Sequence, residues 1–112
     1  MHELSLCQAI AASVERHANG RPVTRVAVRV GHLRQVVPDA LAFSWELLTT
    51  GTSLEGTALD IEHIPATIEC NTCHERTTLN DPVLLCRACS SADVVVITGE
   101  ELLVASFDLA EV

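Results

Sequence analysis

The chain has 112 residues, 48% of them hydrophobic, which is enough for one ordinary domain or two small ones. Fifteen Asp and Glu stand against seven Arg and no Lys, and the formal net charge of -8 disfavours a nucleic-acid partner, because phosphate contacts need clustered cations. Since no run of about twenty apolar residues and no signal-peptide pattern is present, we expect a cytoplasmic protein without a membrane partner.

The first predicted elements are a helix and a strand. Apolar residues recur at steps of three and four residues before a helix stop at Asn19-Gly20, and these are Cys7, Ile10, Val14 and Ala18. From Arg25 to Val30 every second residue is Val, which predicts a half-buried strand that ends at Gly31.

A second helix and a second strand follow. Pro38 suits a first helical turn, and the helix should run to the Thr50-Gly51 break. Its apolar stripe consists of Leu41, Trp45 and Leu48. Leu59 and Ile61 alternate with acidic residues, which predicts the second strand.

The C-terminal region predicts two more strands. The first is short and covers Val94 to Ile97, and the second runs from Leu102 to Leu109 after a turn at Gly99-Glu100. The longer strand should direct one set of residues to a core, namely Leu103, Ala105, Phe107 and Leu109. We expect an α+β fold in which this strand joins the two earlier ones in a three-stranded sheet covered by two helices.

Four cysteines interrupt this pattern, and they are Cys70, Cys73, Cys86 and Cys89. They form two Cys-x2-Cys knuckles separated by twelve residues, the spacing of a four-thiolate metal site. Zinc in a structural role is the favoured occupant, and a closed four-sulfur site leaves no open position for catalysis. A redox iron and an unmetallated disulfide shuttle remain alternatives. The predicted division is therefore an αβ domain at 1–66, a zinc-ribbon sub-domain at 67–98, and a returning strand at 99–112.

The N-terminus, Met1-His2-Glu3, can also chelate a metal ion. The α-amine of Met1, the backbone nitrogens of His2 and Glu3, and the His2 imidazole are close enough in sequence to converge on one ion. Nitrogen-rich planar sets of this kind suit Ni(II) or Cu(II) better than zinc. On spacing alone, however, a solvated terminal histidine is the more frequent situation.

Taken together, these motifs resemble the HypA/HybF hydrogenase maturation family over essentially the whole chain. The shared features are the Met-His-Glu-Leu-Ser start, the Val-rich strand ending in Gly31, the acidic helix start at Asp39, and the ribbon from Cys70 to Cys89 closed by a final strand. Members of that family deliver nickel to the large subunit of nickel-iron hydrogenase, and in some organisms to urease. The resemblance implies a metallochaperone in which residues 1–66 form a nickel-binding domain and the ribbon holds zinc.

The resemblance also implies roles for individual residues. His2 would be the indispensable nickel ligand, with Glu3 contributing its backbone nitrogen and Met1 its α-amine. Asp39 matches a position near the nickel site in relatives, although an acid in the first turn of a helix more often serves the helix dipole. The implied partners are a hydrogenase-maturation GTPase and the hydrogenase large-subunit precursor, and the protein would be a monomer or a homodimer.

This chain departs from some relatives around the knuckles. In this chain His74 directly follows Cys73, and Ser90 follows Cys89. We therefore do not extend to this chain the exchange of a zinc-bound thiolate for an imidazole. The competing interpretation is a zinc-ribbon scaffold or regulatory module with an idle N-terminus. An enzyme is not expected, because no nucleophile and base stand in a recognisable arrangement.

Overall fold

The computed structural model describes residues 3–110. Two helices and six strands occur in that range, with a short 3-10 helix at His32–Arg34, and their bounds are α1 Glu3–Ala18, β1 Val23–Gly31, α2 Pro38–Thr49, β2 Ala58–Ile64, β3 Ala66–Cys70, β4 Arg76–Leu79, β5 Val94–Thr98 and β6 Leu102–Leu109. Neither α1 nor α2 is long and apolar enough to cross a membrane.

The chain divides into two compact units. The first, called the αβ unit here, contains the described residues up to Arg29 together with Val36–Glu62 and the residues from Leu103 onward. The second, the ribbon unit, contains Val30–Gln35 and His63–Leu102. The sequence-based boundaries lay at residues 66 and 98, and they left the segment after β1 in the first domain.

In the αβ unit, hydrophobic periodicity produces the expected elements. All four residues of the predicted α1 stripe are buried, and so are Leu41 and Trp45 on α2. The helices α1 and α2 pack against each other. The strands form a three-stranded sheet in the order β2-β1-β6, so the C-terminal strand does pair beside β1 as predicted. The α+β class is thereby confirmed.

Polar contacts fix the positions of these elements. The indole Nε1 of Trp45 donates to the carbonyl oxygen of Thr57 at 2.9 Å, and the Thr57 hydroxyl donates to the carbonyl of Val23 at 2.7 Å. On the sheet, Arg25 of β1 forms ion pairs with Asp60 of β2 and Asp108 of β6. The polar groups of Trp45 and Thr57 thus have partners, while exposed cross-strand charges add a small stabilisation.

The predicted inward face of β6 is partly wrong. Leu103 is 47% exposed and Ala105 is also exposed, whereas Phe107 and Leu109 are partly buried as expected. Two consecutive exposed residues, Ala105 and Ser106, break the alternation of the strand. The period-two rule assumes that one face of a strand is covered along its whole length, so it assigned Leu103 and Ala105 to the same covered face as Phe107 and Leu109.

The ribbon unit contains a second three-stranded sheet in the order β4-β3-β5, which is antiparallel throughout. Of these strands, only β5 was predicted. The core is small: Ala66, Ile68 and Leu79 are buried, and Leu33, Val94 and Val96 pack against them. A core of this size is thin for an independent fold and is typical of units that need a metal or a disulfide.

Two glycines permit a close backbone approach within the ribbon unit. The amide of Gly31 donates to the Glu101 carbonyl at 2.7 Å, and the amide of Leu33 donates to the Gly99 carbonyl at 2.8 Å. A Cβ atom on Gly31 would overlap the Gly99 carbonyl. Gly99 itself has φ +115°, and a Cβ there would lie 2.6 Å from the Cα of Ala66. Only glycine fits at both positions.

Candidate metal centre

Two equivalent turns present the four cysteines. In the first, the Cys70 amide donates to the Glu75 carbonyl at 2.9 Å, and the His74 amide donates to the Cys70 carbonyl at 2.9 Å. In the second, the amide of Cys86 donates to the Ser91 carbonyl at 2.9 Å, and the amide of Ser90 donates to the Cys86 carbonyl at 2.8 Å. The residue after each second cysteine, His74 or Ser90, has a positive φ of 65° or 62°. Each Cys-x2-Cys motif therefore folds into the same knuckle.

The two knuckles bring the sulfur atoms together. The Sγ atoms of Cys70 and Cys89 lie 3.6 Å apart, and those of Cys73 and Cys86 lie 3.5 Å apart. All four sulfurs lie within 4.8 Å of one another. A zinc ion with Zn–S bonds of about 2.3 Å needs a tetrahedron whose edge is about 3.8 Å. The arrangement fits a single tetrahedral ion, so this group could hold a metal such as zinc.

The first knuckle is prepared to carry negative charge on sulfur. The amide of Cys73 donates to the Sγ of Cys70 at 3.4 Å and the amide of Thr72 donates to it at 3.3 Å, and these bonds lower the pKa of Cys70 to about 6. Cys73 accepts from the Glu75 amide, which lowers its pKa, but the neighbouring Cys86 thiol and burial outweigh this and raise the pKa to about 12. In the metal-free cluster, Cys70 is thus the first of these two thiols to lose its proton.

Polar side chains join the first knuckle to the residues that follow the second. Asn71 donates through Nδ2 to the Oδ1 of Asp93 at 3.0 Å, and its backbone amide donates to the Asp93 carbonyl at 2.9 Å. The hydroxyls of Thr72 and Ser91 lie 3.2 Å apart. These four residues orient the ligands, and sequence reasoning missed them. Their pairing depends on the register between knuckles, for which the spacing of cysteines carries no signal.

The predicted nickel ligands are only partly within the described range. Met1 and His2 lie outside it, and Glu3 is the first residue of α1 and half-buried. Asp39 occupies the first turn of α2, where its carboxylate suits the helix dipole, and it is exposed. Among residues 3–110, the four cysteines are the one group of three or more potential ligands brought together.

The remaining cysteine and histidines have structural or surface positions. Cys7 is fully buried on α1, and its thiol donates to the carbonyl of Leu41 at 3.4 Å. Burial, together with the nearby Glu3 carboxylate, raises the pKa of Cys7 to about 11, as befits an inert buried thiol. His17 and His74 are exposed. His32 packs edge-on against His63, with ring centroids 5.5 Å apart.

The fold and the site together define a class of protein: a small α+β chain whose second unit is a ribbon built around a four-cysteine metal-binding group. A family described as hydrogenase/urease nickel incorporation metallochaperone, HypA, matches residues 1–109. The chain is 39% identical over 112 residues to the hydrogenase maturation factor HypA of Nostoc sp., covering 100% of this chain and 98% of that protein. It is 38% identical over 109 residues to the factor of the same name from Geobacter metallireducens, covering 97% and 99%.

Solved structures agree with the sequence comparisons. The solution structure described as the Ni metallochaperone HypA from Helicobacter pylori aligns with a TM-score of 0.66 and 25% identity, over 97% of each chain. This chain therefore belongs to the HypA family of hydrogenase maturation factors, which confirms the resemblance found in the sequence. The family consists of metallochaperones rather than enzymes, as expected from the closed thiolate site.

Proposed function

We propose that this chain binds Ni(II) at its N-terminus and delivers it to the large subunit of nickel-iron hydrogenase during maturation. The proposed ligands are the His2 imidazole, the backbone nitrogens of His2 and Glu3, and the α-amine of Met1. The family description names nickel incorporation for both hydrogenase and urease, so a urease client falls within the same proposal.

The observation that carries this proposal is the match to the nickel-incorporation family from residue 1 onward, across the Met-His-Glu start. That start offers amine, amide and imidazole nitrogens, which form the tetragonal set that Ni(II) prefers. The four cysteines are separately engaged with one another, which leaves nitrogen ligands for the cargo. Two chemically different sites in one chain allow one ion to be retained while the other is transferred.

In this proposal the four cysteines hold zinc in a structural role. Four thiolates at tetrahedral separation match the preference of zinc for sulfur and close its coordination sphere. The chemistry that the zinc supplies is cross-linking of the two knuckles. The amides of Thr72 and Cys73 stabilise the Cys70 thiolate, and the Asn71–Asp93 pair holds the knuckles in register.

The proposed nickel site is suited to release as well as binding. Its ligands are few, and each must lose a proton or stay neutral to coordinate the ion. Nickel affinity should therefore decrease as the pH decreases. Transfer would follow ligand exchange when a hydrogenase-maturation GTPase or the hydrogenase precursor brings competing ligands to His2. The protein thus acts as a carrier whose cargo is the nickel ion.

Metal stoichiometry of the untagged protein tests nickel binding. The expected result is one retained zinc per chain, plus one nickel that is lost in His2→Ala and when residues are added before Met1. His17→Ala is the matched control, because His17 is an exposed histidine on α1 whose loss should change neither metal. Retained zinc with no nickel in the unaltered protein would instead support the scaffold interpretation.

Delivery needs a separate measurement, because a protein can bind nickel without transferring it. Hydrogenase activity is measured at low nickel in cells that carry the unaltered gene, His2→Ala or His17→Ala in place of the native copy. We expect His2→Ala to lose activity and to regain it when excess nickel is supplied. Unimpaired hydrogenase activation by His2→Ala at low nickel would refute delivery through the N-terminus.

A further inference from the structure

Helix α2 carries large apolar residues on two faces. Leu41 and Trp45 are almost fully buried in the αβ unit, whereas Phe43 is 67% exposed and Leu47 is 63% exposed. Phe43 and Leu47 are four residues apart, so they lie next to each other on the helix surface. A helix that is apolar on both faces is normally covered on both, and a paired exposed aromatic and aliphatic side chain marks a contact surface.

The exposed face borders a groove within the αβ unit. The groove has a volume of about 840 Å³ and is lined by α2 on one side and by residues 55–59 on the other. Trp45, Thr57 and Leu59 contribute to its lining together with Phe43 and Leu47. Trp45 and Thr57 are tied to each other by a 2.9 Å hydrogen bond, so this part of the lining is preformed. The space accommodates several large side chains.

The charges around the groove all have one sign. Its lining includes three carboxylates, Asp39, Glu46 and Glu55, and neither Arg nor Lys. None of the three forms an ion pair among the described residues. An occupant that buries Phe43 and Leu47 would therefore bring apolar groups at its centre and cations at its edges.

We propose that this groove, called the α2 groove here, binds an amphipathic basic helix of a partner protein. Leu or Phe side chains of that helix would pack between Phe43 and Leu47, and flanking Lys or Arg would pair with Glu46 and Glu55. This is the helix-in-groove mode of peptide recognition, in which apolar anchors supply affinity and charges supply orientation. An anionic membrane surface would be repelled by the same carboxylates. The inference does not depend on nickel binding.

The chain contains a built-in probe for this interaction. Trp45 is its only tryptophan, no tyrosine is present, and Trp45 is among the residues that line the α2 groove. The protein is titrated with two 16-residue helical peptides that share Leu at matching positions, one with Lys on its flanks and one with Glu. We expect saturable changes in Trp45 fluorescence with the Lys peptide, weakened by added salt, and none with the Glu peptide.

Variants locate the binding surface. Phe43→Ser removes the most exposed apolar anchor and should weaken the Lys peptide by about tenfold or more. Glu46→Lys should weaken it as well, and should allow the Glu peptide to bind. Leu103→Ser is the matched control, since Leu103 is also exposed but does not line the groove, and binding should be unchanged.

The proposal is overturned if the Lys peptide does not bind, if both peptides bind equally, or if Phe43→Ser and Leu103→Ser behave alike. Because Phe43 is exposed, its replacement should leave the fold intact, which circular dichroism checks. Nickel stoichiometry measured on Phe43→Ser separates this inference from the proposed function. The nickel stoichiometry of Phe43→Ser should equal that of the unaltered protein. If the unaltered protein itself bound no nickel, the peptide-binding result would still hold.

Discussion

The αβ unit and the ribbon unit differ in the interactions that stabilise each of them internally. In the αβ unit, buried apolar residues come from α1, β1 and α2, and they include Val14, Val26, Leu41 and Trp45. The ribbon unit buries only a small apolar cluster around Ile68, and the thiols of Cys70 and Cys86 occupy other buried positions. We therefore expect hydrophobic burial to be sufficient for the first unit, and the second to need a bound ion to offset the entropy of ordering its loops.

Metal removal should produce the largest difference in behaviour between the two units. Structural zinc contributes about 10–16 kcal/mol of apparent binding free energy in small zinc-folded peptides. We therefore expect a strong chelator, or Cys86→Ser, to abolish hydrogen-exchange protection in β3, β4 and β5 while α1 and β1 stay protected. Persistent protection of β3 in the metal-free protein would show that the small core around Ile68 is sufficient by itself.

A core substitution in the αβ unit should have the reciprocal effect. Leu41→Ala removes a fully buried side chain from α2 and should lower the free energy of unfolding of that unit by about 2–5 kcal/mol. Leu47→Ala, on the exposed face of the same helix, should change it by about 0.5 kcal/mol or less. Denaturant unfolding followed by Trp45 fluorescence measures both. Equal effects of the two variants would contradict the assignment of the core face.

Acidification should affect the ribbon unit through its thiols. The hydrogen bond from the Glu75 amide lowers the pKa of Cys73, but the neighbouring Cys86 thiol and burial outweigh it and raise this pKa to about 12. The pKa of Cys89 is also raised. Both are protonated at pH 7, so a metal must displace at least these two protons, whereas Cys70, with a pKa of about 6, is already a thiolate.

Metal affinity should therefore fall by at least about a hundredfold for each drop of one pH unit between pH 8 and pH 6, and more steeply below about pH 6, where Cys70 also takes up a proton. Competition with a zinc indicator across this range measures the slope. Exchange protection of α1 at the same pH values is the internal comparison, and it should change little. An affinity that is independent of pH would contradict protonated thiols in the metal-free cluster.

The smallest predicted effect concerns the knuckle turns. Ser90 has φ 62°, a conformation that glycine adopts without strain, so Ser90→Gly should stabilise the second knuckle by up to about 1 kcal/mol. Slower zinc loss to a chelator is the readout. Ala92→Gly is the matched control: Ala92 is exposed and has no positive φ, so the substitution should speed zinc loss. The same sign for both variants would argue against backbone strain at Ser90.

Local patterns predicted much of the αβ unit. The stripe of Cys7, Ile10, Val14 and Ala18 proved to be the buried face of α1, because helical periodicity needs no information from distant residues. The strands β3 and β4 were missed for different reasons. In β3, Ala66, Ile68 and Cys70 do alternate with polar residues, but this segment was assigned as a whole to the metal-binding ribbon. In β4 only Leu79 is apolar, so no alternation marks the strand. The inward face of β6 was assigned wrongly at Leu103 and Ala105, because the residue pattern carries no sign of the change in burial between Ala105 and Phe107.

The candidate site shows the same division. Cysteine spacing alone predicted which four residues meet, since a Cys-x2-Cys knuckle is a local structure and one ion can join two of them. Spacing carried no information on the Asn71–Asp93 and Thr72–Ser91 contacts that hold the knuckles in register. The nickel ligands at Met1, His2 and Glu3 remain a prediction from sequence and family membership.

The sequence by itself determined the class of fold, the four cysteines that come together and the family of this protein, because each follows from short-range periodicity, spacing or whole-chain similarity. Only the tertiary structure decided that Phe43 and Leu47 face outward beside a carboxylate-lined groove, and that Gly31 meets Gly99. Those outcomes depend on which distant segments pack together. Packing between segments is a property of the whole chain, and no local window of residues contains it.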